Sequence, residues 1–305
     1  MENDFPATNG GKHWDLSLDQ EYLDWRDLKL ENAFCAQNLE SVDIKRLNNP
    51  TDAECTQLLK LCQMTNTAHY SSNSSGDDAG KIRDDLRQFV SRLALTIAER
   101  HRSADDSGIV ALNVTSNKRQ RGYIPYSDKA MNWHTDGYYN SHRDQIRSVV
   151  LHCVRPAKNG GRNQFFDPEI AYIRLRDENP DYIAAFMNPE AMTIPENRED
   201  DGSLRPVSIG PVFSISATGQ LAMRYTARTR SITWRNDQTT RNAAAFLKNL
   251  LESGDPLIQT VQLEAGHGVL CNNVLHNRTG FPGDVGADHG RLLYRIRFHN
   301  RVGEN

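Results

Sequence analysis

Apolar positions recur along this chain at two different periods, and the change from one to the other divides it. Through the first third the spacing is helical. Residues 16–32 (LSLDQEYLDWRDLKLEN) place apolar side chains three and four apart, with Ser17 or Asp19 available to cap the start. Residues 51–64 open on TDAE, a capping-box pattern in which Glu54 follows Thr51 by three. Residues 77–100 carry Ile82, Leu86, Phe89, Val90, Leu93 and Ile97 along one stripe.

From about Gly108 the pattern shortens. The runs IVALNV, SVVLHCV, GPVFSIS, QLAMRY, IQTVQLE, HGVLCNNVLHN and LLYRIRFH alternate or stay apolar over a few residues, with turn-forming residues between them, as strands do. Two helical inserts interrupt them. In 167–187, Pro180 is expected to split the helix near Asn179; 239–253 is a helix stopped by Gly254 and Pro256. Residues 195–206 (PENREDDGSLRP) are too polar for a core and are expected as an exposed loop or lid. The expected fold is mainly β with flanking helices, the strands forming a sandwich or barrel-like sheet pair of which the jelly roll is one solution. No linker separates the two parts. Residues 1–107 are therefore expected as a helical layer packed on a core of 108–305, one domain overall.

Composition narrows the function. Hydrophobic residues make up 38% and charged residues 25%, enough apolar material for a sizeable core. With 36 Lys+Arg against 39 Asp+Glu the net charge is -3, which speaks against a nucleic-acid partner that would need a basic surface. No run approaches the roughly 18–20 apolar residues of a membrane span, and the polar, acidic start does not read as a secretory leader. The five cysteines form no CxxC pair, so reduced thiols in a cytoplasmic protein are expected. A homo-oligomer is an ordinary prior for such a chain.

The chemistry concentrates in NWHTDGYYN, residues 132–140. His134 and Asp136 are two apart, so on an extended backbone both side chains project to one side. An imidazole and a carboxylate presented together can bind a metal, and His276, in CNNVLHNRTGF, is the candidate third ligand. Two histidines and a carboxylate leave positions open, the arrangement suited to non-heme Fe(II) oxygenases; zinc hydrolases use such a set too, but the HExxH spacing that would favour zinc is absent. Downstream, Arg291 opens RLLYRIRFHN, where Arg291, Leu293 and Arg295 share one strand face. A guanidinium fork at the end of a metal pocket can grip the distal carboxylate of an iron-chelating 2-oxo acid. Arg224, within an arginine-rich segment that also holds Arg228, Arg230 and Arg235, is a candidate for an anionic substrate, and Tyr138, beside the ligand pair, either lines the substrate cavity or packs.

WHTD at 133–136, GG at 160–161, NNVLHNRTGF at 272–281 and RLLYR at 291–295, in that order, resemble the taurine dioxygenase / clavaminate synthase group of Fe(II)/2-oxoglutarate-dependent oxygenases. The resemblance spans roughly Gly108 to Val302. It implies a double-stranded β-helix, a jelly-roll core, with His134, Asp136 and His276 as metal ligands. It also implies that Arg291 binds 2-oxoglutarate, that Arg295 contacts an anionic substrate group, and that Asn163 stands where relatives carry a small hydroxyl residue contacting the co-substrate. The implied activity is hydroxylation of an unactivated C–H bond of a small, carboxylate-bearing substrate, consuming O2 and releasing succinate and CO2. Retention of Asp136 argues against halogenation. Desaturation, ring formation, or a metal-binding jelly roll without turnover remain as alternatives.

Overall fold

Two sheets face each other in the computed structural model, which describes residues 11–37, 39–74, 76, 78–95, 108–115, 123–198, 202, 204–228, 232–282 and 290–304. Their strands, in chain order, are β1 (Val42–Ile44), β2 (Thr67–Ser72), β3 (Val110–Leu112), β4 (Met131–His134), β5 (Ser148–Arg155), β6 (Asn163–Phe166), β7 (Gln259–Val261), β8 (Gly268–Cys271), β9 (Leu275–Arg278) and β10 (Leu292–Phe298). The larger sheet has the order β1-β2-β8-β5-β10-β3 and the smaller β7-β6-β9-β4. All neighbours are antiparallel except β1 and β2. This is the jelly-roll architecture expected.

Side-chain alternation sets the layers. Along β5, Val150 and Val154 join a cluster with helices α2 (Asp52–Thr65) and α3 (Ala79–Arg92), while Val149 and Cys153 face inward with Leu112, Phe165 and Val269. Helices α4 (Pro168–Glu178), α5 (Pro180–Phe186) and α6 (Gln238–Ser253) cover the other side, packing on Trp133, Phe166 and Leu275 of the smaller sheet. Helix α1 (Asp19–Ala36) joins that layer through Tyr22, whose hydroxyl donates to Asp177 at 2.6 Å.

Local signals placed these helices. The Thr51 hydroxyl accepts from the Glu54 amide and the Glu54 carboxylate from the Thr51 amide, a reciprocal cap whose loss costs about 1 kcal/mol. Asn179 ends α4, and its side chain accepts from Asp181 to start α5 where Pro180 breaks the ladder. Gly254, at φ 90°, stops α6. At α1 the expectation fails: Leu18 holds the cap position without a side-chain bond, and the Ser17 hydroxyl donates to Asp15 instead. Helix α3 ends at Arg92, and Ile97 lies outside the described residues.

The first third is not purely helical. β1 and β2 lie between its helices and extend the larger sheet, with β2 hydrogen-bonded to β8. The run HGVLCNNVLHN is two strands in different sheets: β8 ends at Cys271, Asn273 turns at φ 49°, and β9 begins at Leu275. Within 195–206, Asn197–Arg198 pairs antiparallel with Leu204–Arg205. Among the described residues no helix is long and apolar enough to cross a membrane, and all five cysteines are free, Cys35 alone being exposed.

Candidate metal centre

β4 and β9 are neighbours in the smaller sheet, and their register sets His134 directly opposite His276. The rings lie 4.2 Å apart, centroid to centroid. Asp136 follows two residues beyond His134, where the intervening Thr135 is fixed from the far side: its amide donates to Tyr225 O at 3.0 Å and its hydroxyl accepts from the Tyr225 amide at 3.1 Å. One nitrogen from each imidazole and one Asp136 oxygen come within 4.8 Å of one another. The three side chains read from the sequence as a set are brought together.

Both histidines are oriented in the same way. Nδ1 of His134 is 2.8 Å from Asn132 O, and Nδ1 of His276 is 2.9 Å from Val274 O. A carbonyl only accepts, so each Nδ1 carries the proton and each Nε2 keeps its lone pair, the form a metal ligand needs. Burial, reinforced by the neighbouring His276 ring, pushes the His134 pKa down to about 3; burial likewise lowers that of His276 despite the Asp136 charge. For Asp136, burial would raise the pKa, but Arg295 and Arg297 outweigh it and hold the carboxylate ionised below its usual range. Arg295 Nη1 meets Asp136 Oδ1 at 3.0 Å and Arg297 Nη1 meets the same oxygen at 3.5 Å. Oδ2 is buried with no hydrogen-bond partner. Two imidazole lone pairs beside an ionised, unpartnered carboxylate oxygen fit a divalent cation.

The centre opens into a cavity between the sheets, about 540 Å³ with the open solvent at its mouth included. Its polar lining includes Asp136, Asn163, His276, Arg278, Arg291 and Arg295; its apolar lining includes Leu112, Val149, Leu151, Phe165 and Val269. Arg291 is 8% exposed and lies over the Phe281 ring, 5.1 Å from its centroid. Burial lowers its pKa to about 10, opposed only by the Cys153 thiol among the described residues, so it remains a cation at neutral pH. The Gly-Gly pair has a packing reason here. Gly160 and Gly161 adopt φ values of 69° and 67°; a Cβ on Gly160 would strike Gly280 O, and one on Gly161 would come within 3.4 Å of Arg291 Nε. Asn163 lines the cavity, its Nδ2 donating to Asn277 O at 3.3 Å and its Oδ1 buried without a partner.

One sequence assignment needs correction. Arg224 is no substrate arm. Its Nε donates to Tyr138 O at 2.8 Å, Nη1 to Met192 O and Gly210 O, and Nη2 to Ser208 O and Oγ, so the guanidinium is consumed in tying three segments together. Tyr138 packs against the apolar cluster under α4–α6 and edge-on against Tyr139, rather than lining the cavity. Arg295 lines the cavity, its Nη1 bonded to Asp136 and its Nε buried without a hydrogen-bond partner. Of the other arginines in that segment, Arg230 lies outside the described residues. Two residues were missed. Arg297 continues the inward alternation of Arg291 and Arg295, so the period-two pattern of RLLYRIRF already held the signal. Arg278 lines the cavity while donating to Ser127 O at 2.8 Å, and only its place two residues after His276 hinted at this.

Known proteins place the chain. Residues 81–297 match the family described as "Taurine catabolism dioxygenase TauD, TfdA family". A uridine-5'-phosphate dioxygenase from Amycolatopsis sp is 32% identical over 171 residues, covering 54% of this chain and 60% of that relative's length. The chain thus matches less than two thirds of that relative. Among solved structures, the non-heme iron oxygenase OrfP in complex with Fe and alpha-ketoglutaric acid superposes with a TM-score of 0.58 at 15% identity, over 96% of this chain and 92% of that one. An asparagine oxygenase complexed with Fe(II), 3-hydroxyasparagine and succinate gives 0.55 at 12% identity, over 89% and 90%. The two structures share the fold, and the family match spans most of the chain, including every residue of the candidate metal centre: the protein belongs to the TauD/TfdA family of dioxygenases.

Proposed function

We propose that the protein is an Fe(II)- and 2-oxoglutarate-dependent oxygenase that hydroxylates an unactivated C–H bond of a small anionic molecule. The observation that carries this reading is the pairing, in one cavity, of an unpartnered carboxylate oxygen beside two imidazoles with a buried cation that no carboxylate among the described residues offsets. Bound there, ferrous iron and 2-oxoglutarate supply dioxygen activation and C–H oxidation, with succinate and CO2 released.

The chain's own residues do the rest. His134 and His276 offer Nε2, and Asp136 offers Oδ2, while Arg295 and Arg297 keep that carboxylate ionised and turned. Arg291 takes the distal carboxylate of the 2-oxo acid, and Asn163 borders the same space. The apolar wall of Leu112, Val149, Leu151 and Phe165 excludes water from the reacting centre. An anionic substrate is supported by the cavity's guanidiniums, which outnumber its single carboxylate. The relative named for uridine-5'-phosphate makes a nucleoside monophosphate the first compound to assay, before small dicarboxylates and amino acids. A cytoplasmic setting is supported by the free thiols.

Anaerobic titration with Fe(II) and 2-oxoglutarate tests the reading. A weak visible charge-transfer band is expected for the parent and none for His134→Ala. Turnover of 2-oxoglutarate to succinate should require both O2 and iron. Hydrolytic activity with zinc alone, or metal binding without any succinate, would replace this reading.

A further inference from the structure

Asp136 is held by its peptide as well as by its carboxylate. The side chain of Asn273 accepts from the Asp136 amide through Oδ1 at 2.8 Å and donates from Nδ2 to Asp136 O at 3.0 Å. The same Nδ2 donates to Ile146 O at 2.7 Å. Asn273 is 7% exposed, so these bonds are made away from bulk water, where an unmade one is costly. Asp136 and Ile146 are the two ends of a loop. Gly137 comes so close to Ile146 that a Cβ on it would meet Ile146 Cγ1 at 2.5 Å, so the neck is narrow. Asn273 closes that neck.

The location of Asn273 is as telling as its bonds. It sits in the corner where the chain leaves β8 of the larger sheet for β9 of the smaller, three residues before His276, with φ at 49°. Asparagine tolerates that left-handed backbone better than most residues. Its neighbour Asn272 faces the other way: its amide donates to Asn66 O at 2.9 Å, its Nδ2 to Asn66 Oδ1 at 3.1 Å, and its Oδ1 accepts from the Val302 amide at 3.0 Å. One asparagine anchors the corner in the protein; the other reaches from that anchor to the acidic ligand.

We propose that Asn273 is a positioning residue for the metal centre: by clamping the Asp136 peptide to the corner that leads into His276, it holds the carboxylate at the angle the two imidazoles require. The inference rests on the metal reading above and adds to it a residue that touches neither metal nor substrate. Partners of this kind, one bond removed from a metal, change affinity by about 10–100-fold when removed.

Asn273→Gly is the test, because glycine keeps the left-handed turn and removes all three side-chain bonds. The readouts are the Fe(II) dissociation constant and the ligand-field spectrum of the Co(II)-loaded protein, with far-ultraviolet circular dichroism to establish folding. A folded variant whose Fe(II) affinity drops by about tenfold or more, with an altered Co(II) spectrum, supports the proposal. A folded variant within twofold of the parent and with the parent's spectrum overturns it. If the glycine variant does not fold, Asn273→Asp carries the test. It keeps the acceptor for the Asp136 amide and loses the two donations; because its added negative charge favours a cation, the Co(II) spectrum decides there, an altered spectrum in the folded variant supporting the proposal and the parent's spectrum overturning it. A parent that takes up neither Fe(II) nor Co(II) sinks the metal reading itself; a parent that binds, with the overturning result in its variant, sinks this inference alone.

Discussion

Lys29 and Arg291 are both buried cations, 5% and 8% exposed, in surroundings built on opposite plans. Lys29 reaches from α1 to two carboxylates, Asp167 Oδ2 at 2.7 Å and Glu169 Oε2 at 2.5 Å, and to Met64 O at 3.0 Å. Burial favours its neutral amine, but the two carboxylates outweigh that and hold the ammonium charged. Asn66 donates to the other Asp167 oxygen and accepts from Arg301, which closes the set. Around Arg291 no carboxylate among the described residues gives such compensation. Both sites take charge out of water, and among the described residues only one returns the electrostatic cost within the chain. The difference teaches where to look for ligands: a buried cation whose anions are all supplied by the protein ties elements together, and one lacking them is matched to something that arrives.

The largest expected effect lies in the closed set. Lys29→Met strands two adjacent carboxylates in the interior and should lower unfolding stability by about 3–5 kcal/mol, read from urea denaturation. The folded fraction should bind 2-oxoglutarate as before; a midpoint equal to the parent's would erase the contrast. Arg291→Ala should do the reverse. Losing a charge-assisted hydrogen bond of about 1.5–3 kcal/mol weakens 2-oxoglutarate binding by about 10–100-fold at saturating Fe(II), measured by calorimetry. Stability should hold or rise, because an uncompensated charge has gone. Arg291→Lys should recover only part of the affinity, lacking the planar fork.

A smaller effect comes with pH. His134 and His152 titrate at about 3 and about 4 in the folded protein, both through burial, against about 6.5 in the unfolded chain. His152 is fully buried between the Tyr70 and Ser74 hydroxyls, at 3.1 and 3.3 Å. Between these limits the unfolded chain binds more protons, so stability is full above pH 6.5 and falls as the pH drops toward 4. Each histidine contributes a slope of at most about 1.4 kcal/mol per pH unit. Urea midpoints of the metal-free protein across that window, repeated with His152→Gln, check the sign and isolate the His152 contribution. A variant with the parent's full slope would remove His152 from the account.

What the sequence revealed was mostly local. The Thr51–Glu54 cap, the break at Asn179–Pro180 and the stop at Gly254 depend on neighbours in the chain, and each stands where it was read. The candidate metal set was legible because His134 and Asp136 lie two apart at the end of an apolar run and because His276 stands in the distinctive NNVLHNRTGF stretch, although β4 ends at His134 and Asp136 lies just beyond it. Arg224 was misread for the opposite reason: its partners are main-chain carbonyls of Tyr138, Met192, Ser208 and Gly210, which every residue possesses and no sequence pattern marks. β1 and β2 were hidden because short strands flanked by strong helices draw their stability from β8 rather than from themselves.

Strand register and carbonyl bonds set His134 opposite His276. A cradle of imidazole and carboxylate donors discriminates poorly among divalent cations. By the ordinary order of affinities, nickel, copper and zinc outcompete ferrous iron for imidazole and carboxylate donors. Correct loading therefore falls to the supply of metal around the protein, and material purified over a nickel column should be stripped with chelator and refilled under argon before its catalytic competence is judged.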